Sequence, residues 1–171
     1  KRVHDEDGKI FIQLWHVGRM SHPYFHNGEL PLSASAINPN SQSFTPEGFK
    51  DTVAPKEMTI EDIKTTVNDF KHAAANAIKA GFDGVEIHSS NGYLFHQFFN
   101  GTSNKRTDEY GGSVDNRLKF LVDVTNAVVG AIGASKVGVR LSPTNKYNDM
   151  QDSNPIKTFT RAAQLLNTIG L

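Results

Sequence analysis

Three short runs of apolar residues, each followed by a segment of helical periodicity, constrain this chain more than any other feature. The runs are Ile10-Phe11-Ile12-Gln13-Leu14-Trp15, Gly84-Val85-Glu86-Ile87-His88 and Val137-Gly138-Val139-Arg140-Leu141-Ser142, the last stopped by Pro143. Each is too short for a helix and rich in β-branched and bulky side chains, so each predicts a strand. After the first run, Thr59 with Asp62 three residues on forms a capping box, with Asp in place of the usual Glu. Ile63, Val67, Phe70, Ala74 and Ile78 then recur at helical spacing until Gly81. After the second, Ser113 caps a helix whose inner face is Leu118, Leu121, Val124, Val128 and Ile132, ended by Gly133. After the third, Asn154 with Pro155 at the first helical position opens a helix carrying Phe159, Ala162, Leu166 and Ile169 on one side.

Strand and helix thus alternate three times, a pattern that predicts parallel strands joined by crossovers. The doubly wound sheet and the eight-stranded barrel share that pattern. No Gly-rich fingerprint follows any of the runs, which lowers the dinucleotide-binding sheet. Polar residues gather instead at the C-terminal end of every run, as Trp15-His16, His88-Ser89-Ser90-Asn91 and Arg140 to Ser142. Barrel enzymes place their active sites at that rim. The fold expected is α/β, a partial (β/α)8 TIM barrel occupying residues 1–171 as a single domain. A whole barrel takes roughly 250 residues, so truncation at both ends is expected. Lys1-Arg2-Val3-His4 reads as the tail of a helix before a turn at Gly8, and Gly170 as a C-cap just before Leu171. From about His16 to Met58 a stretch rich in Ser, Asn, Pro and Gly is expected as one long functional loop.

Charge is balanced, 18 basic against 18 acidic residues, which gives no basic face for nucleic acid or an anionic membrane. No apolar stretch of the chain approaches a membrane span, and no signal peptide is expected from its opening residues. The absence of cysteine excludes disulfides and thiolate metal sites and fits a reducing compartment, so a cytoplasmic location is expected.

Three constellations carry candidate chemistry. In His88-Ser89-Ser90-Asn91-Gly92-Tyr93 an imidazole and an amide can both donate to one substrate oxygen, and Tyr93 adds a phenol able to deliver a proton. The same residues equally suit a turn satisfied by its own His and Asn, with Tyr93 as packing. Gln13, between Ile12 and Leu14, needs a partner for its amide. A ring with alternating donors and acceptors or a neighbouring backbone group would serve. Arg140 needs an anionic or polar partner, either a reduced cofactor or a carboxylate such as Glu86. His16, His22 and His26 match no zinc spacing, and no metal is expected. Gly111-Gly112-Ser113 reads as a turn and cap, and Asn104 to Glu109 as a solvated loop.

In order and spacing the chain resembles the old yellow enzyme family over nearly its whole length. The likeness is carried by Gln13-Leu14-Trp15-His16-Val17-Gly18-Arg19, Ala80 to His88, Asn91-Gly92-Tyr93-Leu94 and His96-Gln97-Phe98. It continues through Ser103 to Ser113, Asn116-Arg117 and Val139-Arg140-Leu141-Ser142-Pro143. The resemblance implies FMN as cofactor, with Gln13 and Arg140 at the pyrimidine side of its ring. It implies His88 and Asn91 as the pair binding the substrate's oxygen, Tyr93 as proton donor and Trp15 as a wall of the substrate pocket. The implied reaction is ping-pong, with NAD(P)H as reductant and the C=C bond of a small α,β-unsaturated carbonyl or nitro compound as oxidant. By the family pattern the chain runs from just before the third barrel strand to before the sixth, and alone it is expected to bind FMN poorly. Two other readings stand beside this one: a related flavin barrel such as a dienoyl-CoA reductase-like enzyme, and a non-catalytic fragment acting as an interaction module.

Overall fold

The computed structural model describes all 171 residues. In chain order its elements begin with α1 (Arg2–Asp5), β1 (Phe11–Leu14), β2 (Leu32–Ser33), β3 (Gln42–Thr45), β4 (Gly48–Asp51), β5 (Lys56–Glu57) and α2 (Ile60–Lys79). They continue with β6 (Gly84–His88), α3 (Leu94–Phe99), α4 (Val114–Ile132), β7 (Val137–Arg140) and α5 (Pro155–Ile169). The three apolar runs form one parallel sheet in the order β1-β6-β7. Its register pairs Gln13 with Glu86, Leu14 with Ile87 and His88 with Arg140.

Alternation along the strands separates two faces. Ile12, Leu14, Val85, Ile87, Val137 and Val139 lie in or against the core built with α2, α4 and α5. Phe11, Gln13, Trp15, Glu86, His88 and Arg140 take the opposite face, where Phe11, Gln13, Trp15 and Arg140 are exposed. The helices form where their periodicity places them. Thr59 Oγ1 accepts from the Asp62 N–H while an Asp62 carboxylate oxygen accepts from the Thr59 N–H, completing the capping box. Ser113 and Asn154 cap α4 and α5 through their side-chain oxygens. The centre of the core is aromatic: Phe95 stacks on Phe120 with centroids 4.8 Å apart, and Phe70 meets Phe95 edge-on. Burying each of these rings stabilises the fold by roughly 1.5–3 kcal/mol.

The structure departs from expectation in four places. The outer strands are shorter than their apolar runs, Phe11–Leu14 and Val137–Arg140, because β6 is the only strand in contact with either and is itself five residues long. Residues 16–58 are not one loop: β2 and β5 pair in parallel, and β3 and β4 form an antiparallel hairpin turning at Pro46 and Glu47. A six-residue helix, α3, follows Tyr93; it is too short for a periodic signal, and all six of its side chains are buried. The stretch Asn104 to Glu109 is not simply solvated. Arg106 is buried and donates to the carbonyls of Ala34 and Met58, tying the insertion to the helical layer. No helix of the structure is long and apolar enough to cross a membrane.

Candidate active site

The polar side chains singled out from the sequence meet at the C-terminal end of the sheet. Gln13 and Arg140 share a partner, Glu86, on the exposed face. The Gln13 amide donates to Glu86 Oε1, and Arg140 donates through Nε at 2.8 Å and Nη2 at 3.1 Å. The carboxylate alternative for Arg140 is therefore realised. It leaves Arg140 Nη1 and Gln13 Oε1 with no protein partner, a donor and an acceptor on one open face. These hydrogen bonds hold the Glu86 carboxyl below its ordinary range, Arg140 contributing most.

One residue further along the same face, His88 is buried and its Nε2 has no hydrogen-bond partner. Its other ring nitrogen, Nδ1, lies 3.4 Å from the Ser90 hydroxyl. Burial pushes the imidazole below its ordinary pKa, partly offset by Glu86, so the ring is neutral at pH 7. Trp15, His88 and Tyr93 form an aromatic triangle, with centroids 5.6 Å apart for Trp15–His88, 4.7 Å for Trp15–Tyr93 and 5.4 Å for His88–Tyr93. Burial raises the Tyr93 phenol above its ordinary value, against a partial offset from the Asn148 amide.

Asn91 sits with φ at 55°, a left-handed conformation that Asn tolerates better than most residues. Its backbone is pinned at both ends: the N–H donates to Ser142 Oγ at 2.9 Å, and the carbonyl accepts from Asn148 Nδ2 at 2.8 Å. Its side-chain oxygen accepts from Asn145 Nδ2 at 3.0 Å, while its own Nδ2 is unpaired. Gly92 follows with φ 77°, and a Cβ there would stand 2.5 Å from Asn148 Cβ. Only glycine allows the turn and the loop beyond β7 to approach this closely.

That loop is held by Arg19, which is fully buried. Its guanidinium donates to Ile37 O at 3.1 Å, Asn148 O at 3.3 Å and the Asp149 carboxylate at 3.3 Å. Gln97 of α3 secures the other end of the segment, accepting from the Arg19 N–H and donating to the carbonyls of Val17 and Gly92. The three loop histidines have local duties: His16 Nδ1 accepts from the Gly18 N–H, His22 Nδ1 from the Tyr24 N–H, and His26 pairs with Ser21.

A cavity of about 440 Å³ opens beside the aromatic triangle, lined by Trp15, Val17, Met20, Phe25, Tyr93 and Tyr147 together with the exposed Phe44 and Phe49 of the hairpin. A separate cleft of about 410 Å³ between β1 and α2 contains none of His88, Asn91 or Tyr93. Sequence reasoning missed Asn145 and Asn148 as parts of the site; Ser142 it counted only among the polar strand-end residues, and Arg19 only within the family likeness. Glu86, named from the sequence as a carboxylate partner for Arg140, lies two residues before His88 on the same strand face.

Residues 1–170 match the NADH:flavin oxidoreductase / NADH oxidase family. Flavin oxidoreductase hxnT of Emericella nidulans is 46% identical over 155 residues, covering 91% of this chain and 40% of that protein. The rice (Oryza sativa subsp. japonica) 12-oxophytodienoate reductase 7 is 44% identical over 171 residues, covering 98% and 43%. The solved structure of the old yellow enzyme homologue from Zymomonas mobilis superposes with a TM-score of 0.94 at 40% identity, covering 98% of this chain and 47% of that one. The chain therefore belongs to the NADH:flavin oxidoreductase / NADH oxidase family, and it spans less than half the length of these relatives. The family implies FMN, with a reduced nicotinamide as reductant. The open donor and acceptor on Arg140 and Gln13 fit the pyrimidine edge of an isoalloxazine, whose polar atoms alternate in the same way.

Proposed function

We propose that the protein carrying this chain is an FMN-dependent ene-reductase, which uses NAD(P)H to reduce the C=C bond of α,β-unsaturated carbonyl or nitro compounds. In this reading residues 1–171 are strands three to five, with their helices, of one barrel domain. The observation that carries it is the pair of unpartnered donors, His88 Nε2 and Asn91 Nδ2, next to Tyr93 and above the Gln13–Glu86–Arg140 face.

Gln13 and Arg140 would hold FMN at its pyrimidine edge, and the flavin bound there would supply the hydride. The residues of this chain do the rest. With the Ser90 hydroxyl donating to Nδ1, the ring proton of neutral His88 stands on Nε2. Nε2–H and the Asn91 amide then donate to the substrate's carbonyl or nitro oxygen. Negative charge grows on that oxygen as the β-carbon is reduced, and donors already in place stabilise it. The Tyr93 phenol transfers its proton to the α-carbon, and its raised pKa keeps it protonated through neutral pH. The fixed charge of Arg140 would favour negative charge on the bound flavin. Trp15 walls the pocket, and the aromatic cavity beyond it suits a substrate with an apolar body. The name of the rice relative, an oxo-dienoate reductase, supports an unsaturated oxo substrate.

Tyr93→Phe in the FMN-loaded holoenzyme tests the reading. Stopped-flow should show enone reduction slowed by about 10²- to 10⁴-fold, the usual contribution of a general acid, with flavin reduction by NADPH unchanged. Equal loss in both half-reactions would remove Tyr93 from the proton-donor role.

A further inference from the structure

Resting on the anchor reading above, we infer that Asn145 is a positioning residue that decides which end of the Asn91 amide faces the substrate. Asparagine amides are nearly symmetric in shape, and one end donates while the other accepts. A binding pair made of His88 and Asn91 works on a substrate oxygen only when Asn91 presents its NH2. Nothing on Asn91's own backbone enforces that, because both backbone bonds, to Ser142 and Asn148, persist whichever way the side chain is turned.

The direction is enforced through Asn145, beginning at an atom with one possible role. The Tyr147 backbone N–H can only donate, and it lies 2.8 Å from the Asn145 side-chain oxygen. Asn145 is thereby fixed with its oxygen towards Tyr147 and its NH2 towards Asn91. The contact to Asn91 is 3.0 Å, so Asn91 must offer its oxygen there. A reversed Asn91 would set two NH2 groups against each other. The free end of Asn91 is therefore the donor, and the polarity of the anchor is passed from Tyr147 through Asn145. Arg19 holds the next two residues of the same loop, Asn148 and Asp149, so the relay rests on a buried support.

Cyclohex-2-enone binding to the oxidised FMN-loaded holoenzyme, read from the flavin spectrum or by calorimetry, tests this without turnover. Asn145→Ala frees Asn91 to point either way and should weaken binding by about three- to tenfold, the range of one hydrogen bond. Asn145→Asp, the closer match in shape, should be worse than Asn145→Ala. Its carboxylate draws the Asn91 NH2 towards itself and turns the Asn91 oxygen on the substrate. In an Asn91→Ala background both Asn145 changes should lose their effect. Should Asn145→Asp lose FMN, the same cycle run with Asn145→Ala decides. Asp milder than Ala, or an Asn145 effect that survives without Asn91, would overturn the relay while leaving the anchor intact. If Asn91→Ala alone left the affinity unchanged, the anchor itself would fall and the relay with it.

Discussion

Arg19→Met isolates the support beneath the site while nearly conserving volume. The side chain is fully buried and its guanidinium joins four acceptors: Ile37 O, Asn148 O, Asp149 O at the longest distance, and the Asp149 carboxylate. Removing it leaves the Asp149 carboxylate to water, since that group is 39% exposed, and its loss is discounted for that reason. The two closer carbonyls, Ile37 O and Asn148 O, lose bonds from a charged donor, at about 1.5–3 kcal/mol each, and the marginal bond to Asp149 O adds little. Release from the dehydration of a buried cation, with methionine packing in its place, returns part of this. The expected loss is about 3–4 kcal/mol, at the lower end of what breaking a buried pair costs. That leaves the protein folded, given typical stabilities of about 5–15 kcal/mol. The loss should appear as a lower urea midpoint for the FMN-loaded holoenzyme. A second effect follows from the place of the lost bonds. Asn148 and Asp149 are consecutive left-handed residues, with φ 60° and 63°. Without Arg19 they relax, Asn148 releases the Asn91 carbonyl, and enone affinity falls along with stability. A stability change under about 1 kcal/mol, or full stability loss with unchanged enone affinity, would refute the claim that Arg19 supports the anchor.

Two further outcomes follow. Burial depresses the His96 imidazole to about 4, with Asp152 offsetting part of the shift. Below its ordinary value near 6.5 the unfolded chain takes a proton that the folded chain refuses. Stability should therefore fall as pH drops from about 6.5 to about 4, by about 1.4 kcal/mol per unit and roughly 3 kcal/mol in all. His16 and His88 shift in the same direction, so the share of His96 is read as the slope lost in His96→Asn, measured by urea titration across that range. Gly92→Ala meets both a positive φ and the Asn148 Cβ at 2.5 Å. It should lower stability by upward of ~2 kcal/mol and abolish enone binding, whereas Gly130→Ala on α4, where a Cβ meets nothing, should raise stability slightly in the same thermal melt.

Much of the fold was legible because its signals are local. The capping box at Thr59, the Ser113 and Asn154 caps and the period-2 and 3.6 patterns each lie within a few residues of what they specify. The helix α3 and the hairpin of residues 42–51 were not legible, since a six-residue helix buried all round has no periodic face and the hairpin lies in a stretch of loop composition. Arg106 shows the same limit from the other side: in a run of charged residues nothing local says that its partners are the carbonyls of Ala34 and Met58.

The site divides in the same way. Sequence alone put Trp15, His88, Asn91 and Arg140 at the strand ends of one rim, because strand ends in an alternating α/β chain face the same direction, while Gln13 and Tyr93 joined them through the family resemblance. Only the tertiary structure decided how those residues are occupied. It joined Gln13 and Arg140 through Glu86, left His88 Nε2 free, and set the Asn91 amide against Asn145 from 54 residues away. The reason is physical. Strand and helix follow from interactions between near neighbours, but a hydrogen bond's direction depends on which donors and acceptors the fold brings within about 3 Å, and sequence spacing does not encode that.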